Sequence, residues 1–528
     1  MTNGQTNWTV MVYFAGDNNL GEEMIWSLKD IHAATPLKNA KVVALFDGGG
    51  PPVTFRIDRE DPDKPVHKVS AQDGDRQILR QVDSARKSAA ERKTPRRSEP
   101  IRATLTNFIK QNISDDPYER YMLILSGHGG GAVGEFLTSD KRILGLSIPA
   151  LQSVLGEVRK EFPGKDKKFD VLGLDSCQMS MAEVAYQVRN DVDFMVGAEG
   201  FEPNTGWPYD RVLRLLDQEQ NIDDPSILVK NIVTEYIRYY LDYSAADRST
   251  DASALDLSTI KIKRLESALL EFTTALDVTE ETKEQRLTRQ ALPQDQQRDY
   301  LTKKVDATKL KEKPLLDAIV LAHWEAQGYK SEQYTDLWDF CKSLIPRLDN
   351  LQPLYPEQWF KNLRHACQAI KDAIAPEDEK EKGNGLVRQS GYGGAAFQHS
   401  HGLSVFFPWA NLTDAAGIAD LEHYQLLEFA QDTAWDEFLR LYMHATQRPP
   451  RADNPGATRH TSLLNRRTGL FTGKPGRDSD LGAAERDSDL GVAERDSDLG
   501  AAERGKLGNS SIPPVKNPPI DWVECKLD

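Results

Sequence analysis

The sequence predicts an α/β fold in which a mostly parallel sheet is flanked by helices. Three observations predict it: short continuous apolar runs, amphipathic stretches between them, and the steady alternation of the two along the first half of the chain. Trp8–Ala15 and Lys41–Asp47 open the series, followed by Tyr121–Ser126, Phe169–Asp175 and Phe194–Ala198. Runs that are apolar throughout, rather than at every second residue, suit strands covered on both faces. Helical spacing of apolar residues fills the intervals near 21–34, 101–112, 148–160 and 180–189, which is the strand–helix rhythm of a parallel sheet. Val53–Asp58 and Val66–Ser70 are short enough to form a hairpin insert. Residues 76–97 carry eight basic and two acidic side chains and read as a solvated helix and loop.

The length of 528 residues divides into three parts. Residues 1–245 are the α/β catalytic candidate. Residues 246–445 are an associated α/β region, with helical patterns at Thr259–Ala275, Pro314–Ala326 and Pro356–Ala375 and strand-like pieces at Ser253–Leu257 and Gly402–Phe407. Residues 446–528 form a tail rich in Pro, Gly, Arg and Asp, with the unit RDSDLGAAE at 477 and 495 and RDSDLGVAE at 486. Each unit has four charges and one large apolar residue, too little to offset chain entropy, so a disordered tail is expected.

Composition excludes several function classes. A formal charge of -15 is unsuited to wrapping nucleic acid, which needs a basic face. No apolar stretch reaches the length of about 18 residues that a spanning helix requires. Cys177, Cys341, Cys367 and Cys525 form no CxxC pair and no disulfide framework. The opening MTNGQTNWTV lacks the charged and apolar regions of a signal peptide, so a cytoplasmic location is expected.

The chemistry concentrates at two strand ends. LILSGHGGG places His128 just past Ser126, and FDVLGLDSC places Cys177 just past Asp175. In an open parallel sheet functional groups gather beyond the carboxyl ends of the strands, so these two side chains can meet. A thiolate beside an imidazole is the minimum equipment for acyl transfer. Ser180-Met-Ala-Glu183 reads as a capping box, and a helix starting just after Cys177 would favour the thiolate. The backbone of Gly129, with no side chain beside it, is suited to an oxyanion hole together with Cys177. In extended chain Asp175 points the same way as Cys177 and would lie beside the nucleophile.

Those residues carry a resemblance. WTVMVYFAGDNNL, LILSGHGGG, FDVLGLDSCQMSMAEVAYQV and FMVGAEGFEPNTGWPYD, in that order, resemble the clostripain family of cysteine peptidases. The likeness continues through Ser253–Leu257, Tyr334–Phe340 and Gly402–Pro408, across most of residues 8–410. That family belongs to one structural clan with caspases, gingipains and legumain, which implies a caspase-like fold.

The resemblance implies Cys177 as nucleophile, His128 as proton donor to the leaving amine, and the N–H groups of Gly129 and Cys177 as oxyanion donors. Asp175 matches the acidic residue of the primary specificity pocket, implying cleavage of protein substrates after Arg or Lys. Gly200 stands where relatives often carry a second acid, which leaves Glu199 and Glu202 as weaker pocket candidates. The resemblance also implies a zymogen cut between the His and Cys blocks. Lys141 and Arg142 are the candidate processing site there, and the basic loop Arg86–Arg97 is a second, open to an upstream protease. No cofactor is required; calcium is implied by the resemblance alone, without an EF-hand loop in the sequence.

Two other readings compete. Gly129-Gly-Gly131 with Gly134 satisfies GxGxxG after a strand, a weak sign of dinucleotide binding because no clear helix comes after it. A non-catalytic caspase-like scaffold, using the repeats to bind partners in bacterial signalling or defence, is the alternative to an enzyme; turnover of an Arg or Lys peptide separates the two.

Overall fold

The computed structural model describes residues 8–56, 67–68, 74–90, 101–114, 119–139, 145–164, 166–218, 223–241, 249–278, 285, 288, 293–329, 333–377, 383–409 and 423–446. The repeat tail, Lys141 and Arg142, and residues 91–97 of the basic loop lie outside them.

Twelve strands are present among these residues. They are β1 (Trp8–Ala15), β2 (Ala40–Asp47), β3 (Val53–Arg56), β4 (His67–Lys68), β5 (Arg120–Ser126) and β6 (Phe169–Asp175), then β7 (Val192–Gly197), β8 (Thr250–Asp256), β9 (Gly328–Tyr329), β10 (Tyr334–Asp336), β11 (Val387–Gly393) and β12 (Ser404–Phe406). Nine form one sheet in the order β11-β8-β7-β6-β5-β1-β2-β3-β4. Its centre, β2 through β7, is parallel, as the apolar runs predict. The alternate residues of those runs supply two separate cores. Met11, Tyr13, Leu123, Leu125, Leu172 and Leu174 face one side, and Val10, Val12, Phe14, Met122, Ile124 and Val171 the other. Each large apolar side chain so buried contributes roughly 1.5–3 kcal/mol, which is why both faces must be apolar.

Helices cover both cores. Gly21–Ala34, Tyr209–Arg214 and Pro225–Tyr240 pack on one face. Ile101–Lys110, Ile148–Val158, Ala182–Val188 and Thr259–Ala275 pack on the other, with further helices between 313 and 446 behind them. Residues on both sides of position 245 build the sheet, since β8 runs antiparallel to β7 and β11 antiparallel to β8. A second, three-stranded sheet has the order β12-β10-β9.

The expected hairpin does not form. β3 pairs antiparallel with β2, and β4 pairs with β3 in parallel, whereas the two strands of a hairpin must run antiparallel. The capping box is also absent. The helix Ala182–Val188 starts after Met181, with no side-chain cap. Glu183 turns instead to β12, accepting from the Phe406 N–H and the Tyr424 hydroxyl, both at 2.8 Å.

This carboxyl has a measurable consequence. Burial lifts Glu183 from 4.5 to about 7. The folded protein therefore holds a proton there that the unfolded chain gives up earlier, so the stability this proton lends is complete below pH 4.5 and is lost as pH rises toward 7. The full swing is about 3 kcal/mol. Glu183→Gln keeps an accepting oxygen and cannot ionise. Urea titrations from pH 4.5 to 8 are expected to show a flatter stability curve for the variant, and an unchanged slope would refute the assignment.

Candidate active site

Three neighbouring parallel strands, β6, β5 and β1, end side by side. Asp175 and Ser126 are register partners, and the Gly127 N–H donates to the Asp175 carbonyl at 3.2 Å. Phe14 of β1 is level with Ser126. The strands end together, so the residues just beyond them share one edge: Cys177 after β6, His128 after β5, and the turn Gly16–Leu20 after β1.

The two loops that carry Cys177 and His128 touch through their backbones. A Cβ on Gly129 would lie 2.0 Å from the Cys177 carbonyl oxygen, so only glycine fits. Cys177 is buried, and the Glu202 N–H donates to its Sγ at 3.3 Å. After Cys177 the chain turns through Gln178 at φ 60°. The Gln178 N–H donates to the Gly200 carbonyl at 2.9 Å and the Ser180 N–H to the Ala198 carbonyl at 2.8 Å. The expected helix N-terminus at the thiol is displaced, because the helix begins at Ala182, five residues on. Ser180 cannot cap it, since its hydroxyl is engaged with Ser253 Oγ at 2.6 Å and the Gly402 carbonyl at 3.0 Å. A backbone amide of the 198–206 segment thus faces the sulfur in place of a helix dipole.

A cleft opens beside the thiol, lined by Leu20, Met24 and Ser27 and by Pro203–Gly206. Asp175, Ser176, Cys177 and Glu202 line it. Asp175 is held by the Trp207 N–H at 3.0 Å on Oδ1 and the Tyr209 hydroxyl at 2.7 Å on Oδ2. Glu202 is different: its carboxylate oxygens are buried and accept no bond from the described N–H or O–H groups. The group it faces is the Asp175 carboxyl, and burial, then Asp175 and Cys177, push it well above the usual carboxylate range. Asp175 is raised as well, by burial. Glu199 goes elsewhere: it accepts from the Gly402 N–H at 2.6 Å, next to Asp336 and Asp251. Of the two weaker pocket candidates, then, Glu202 lines the cleft and Glu199 does not.

His128 is buried, and its Nε2 lies 2.7 Å from Asn19 Oδ1. Asn19 is not among the residues the motifs single out, and Glu202 is there only a weaker pocket candidate. The position of GDNNL at the end of a strand neighbouring β5 is the available signal for the former. The segment expected to be processed is anchored at its described end: Ser139 Oγ donates to Asp17 Oδ2, and Asn18 Nδ2 to the Thr138 carbonyl, both at 2.8 Å.

The glycine run is not an open phosphate loop. Gly131 has φ 71°, and a Cβ there would lie 2.4 Å from the Tyr334 ring. The Tyr334 hydroxyl donates to the Gly130 carbonyl at 2.6 Å. Beyond the glycines the chain makes a turn and the bridge Phe136–Leu146, without the helix N-terminus a pyrophosphate needs. Among the described residues no group of three or more His, Cys, Asp or Glu side chains is arranged to hold a metal ion. No described helix is long and apolar enough to cross a membrane.

A sequence model of the clostripain family (peptidase C11) matches residues 12–442. The chain belongs to the clostripain family. Clostripain of Hathewaya histolytica is 24% identical over 302 residues, which are 49% of this chain and 54% of that protein; the match spans about half the length of that relative. Similar solved structures include a secreted C11 cysteine protease from Bacteroides thetaiotaomicron with an irreversible peptide inhibitor. It has 16% identity over 81% of this chain and 99% of that one, at a TM-score of 0.49. An inactive zymogen C11 protease from Parabacteroides distasonis has 17% identity over 82% of this chain and 99% of that one, at a TM-score of 0.45. Within the clostripain family match fall all the strand ends described above, with Cys177, His128 and the cleft that Cys177 and Glu202 line.

Proposed function

We propose that this chain is a cysteine endopeptidase that cleaves proteins after Arg or Lys, with Cys177 as nucleophile and His128 as acid and base. The observation that carries the reading is a thiol and two carboxyls, Asp175 and Glu202, lining one cleft at the strand ends. Among the described residues no Lys or Arg lines that cleft, so a cation brought by a substrate is the natural counter-charge for Asp175 and Glu202.

The groups in place set the order of steps. The substrate's guanidinium or ammonium enters between the carboxyls and sets the scissile carbonyl at Cys177. The thiol proton passes to His128, and the thiolate, held by the Glu202 N–H, attacks the carbonyl carbon. The carbonyl oxygen becomes an oxyanion, held by the N–H groups of Gly129 and Cys177. The His128 imidazolium then gives its proton to the leaving amine, the C–N bond breaks, and a thioester remains. Water, losing a proton to His128, releases the acid and restores the thiol.

Activation by cleavage belongs to the same proposal. The chain is made as a zymogen and cut after Lys141 or Arg142 by its own site, with an upstream protease acting on the Arg86–Arg97 segment as the other route. Position supports this reading: Thr138 and Ser139, just before the cut, are tied to Asn18 and Asp17 at the edge that carries Cys177 and His128. Mass-spectrometric mapping of cuts in a peptide library tests the function. Cleavage after Arg and Lys is expected; cuts after neutral residues at comparable rates, or none from processed protein, would overturn it.

A further inference from the structure

We infer that Asn19 is a positioning residue for His128, holding the imidazole in one tautomer and one orientation for proton transfer; this rests on the peptidase reading above. His128 comes from the end of β5 and Asn19 from the end of β1, the next strand in the sheet, and the two meet at 2.7 Å across 109 residues of sequence. Cys177 comes from the end of β6, on the other side of β5. Three adjacent strand ends thus supply nucleophile, proton carrier and orienting group in spatial order.

The turn that presents Asn19 is built rigidly. The Gly16 N–H donates to the Asp47 carbonyl at 3.0 Å. Asn18 closes the turn on itself, its Nδ2 donating to the Ala15 carbonyl at 2.9 Å and its Oδ1 accepting from the Leu20 N–H at 2.9 Å. Asn18 is therefore committed to the backbone, and Asn19 is committed to the ring. An amide oxygen only accepts, so the Nε2 that faces it carries the hydrogen and Nδ1 is the basic nitrogen of the neutral ring, the one that can take the thiol proton and return it to the amine. When the ring becomes an imidazolium, the same Nε2–H···Oδ1 bond strengthens, since its donor is then charged. A neutral amide suits this place, because the cleft already holds the Asp175 and Glu202 carboxyls, and a third would add like charge.

The test compares Asn19→Ala, Asn19→Asp and Cys177→Ala with wild type on an Arg fluorogenic peptide, with thermal melting as the control for folding. Asn19→Ala is expected to lower kcat roughly 10- to 100-fold, part of the ~10²–10⁴ that proton transfer contributes, with KM within about twofold. Asn19→Asp keeps an accepting oxygen and is expected to recover most of kcat. Its charge raises the imidazole pKa and moves the acidic limb of the kcat/KM profile, where the ring must be neutral to take the thiol proton, to higher pH; Asp17, Asp175, Cys177 and Glu202, also ionisable at these strand ends, are unchanged in both Asn19 variants. The inference is overturned if Asn19→Ala keeps kcat within about twofold of wild type, if its loss is confined to KM, or if Asn19→Asp loses as much as Asn19→Ala. Failure of the peptidase reading looks different: Cys177→Ala would then turn the peptide over as wild type does.

Discussion

Cys177→Ala is expected to lower hydrolysis of an Arg or Lys peptide by about 10⁴–10⁶-fold, because it removes the only group that forms the acyl bond. Stability should change little. The side chain is small and buried, and deleting one sulfur leaves a cavity that costs on the order of 1 kcal/mol. The variant protein should also stay uncut at Lys141 and Arg142 while wild type yields two fragments. Terminal sequencing after purification, alongside peptide turnover, checks both. Processing of the variant at the wild-type rate when purified alone would show that the cut is made by another protease.

Asp175→Asn is expected to lower kcat/KM for Arg and Lys peptides roughly 100- to 1000-fold, within the ~2–5 kcal/mol at stake when a buried charge pair is broken. Activity on a neutral peptide should fall far less, so selectivity for a basic residue collapses. Glu202→Gln separates the second carboxyl from the first. Burial, Asp175 and Cys177 keep Glu202 protonated well above the usual carboxylate range in the free enzyme. A cationic side chain must displace that proton to make its ion pair. Arg turnover should therefore gain a limb that rises with pH, and Glu202→Gln should lack it. If the Asp175→Asn and wild-type enzymes show the same preference for Arg over a neutral residue, the cleft is not the specificity pocket.

Much of the fold and the outline of the site could be read along the chain. A strand buried on both faces must be apolar throughout, and that texture is local; it located β1, β2, β5, β6 and β7 and the helices between them. The same logic put His128 and Cys177 at neighbouring strand ends, since a residue just beyond a parallel strand has nowhere to go but the carboxyl edge. The parallel pairing of β4 with β3, and the antiparallel β8 and β11 that extend the sheet, were less legible, because pairing direction depends on where a distant segment returns.

The finer chemistry depended on which groups the packing brought into dry contact. Ser180 and Glu183 have the spacing of a capping box, yet their side chains bond with Ser253, Gly402, Phe406 and Tyr424, from segments 73 to 241 residues away. Asn19 and Glu202 gain their meaning at a distance, one from a ring 109 residues on, the other from a sulfur 25 residues back. Apolar periodicity is a property of a segment and its burial, so the sequence alone determined the sheet, its layers and the edge where the chemistry lies. A buried polar atom takes whatever partner the completed fold supplies, so the partners of Cys177, His128, Asp175 and Glu202 were settled by tertiary packing.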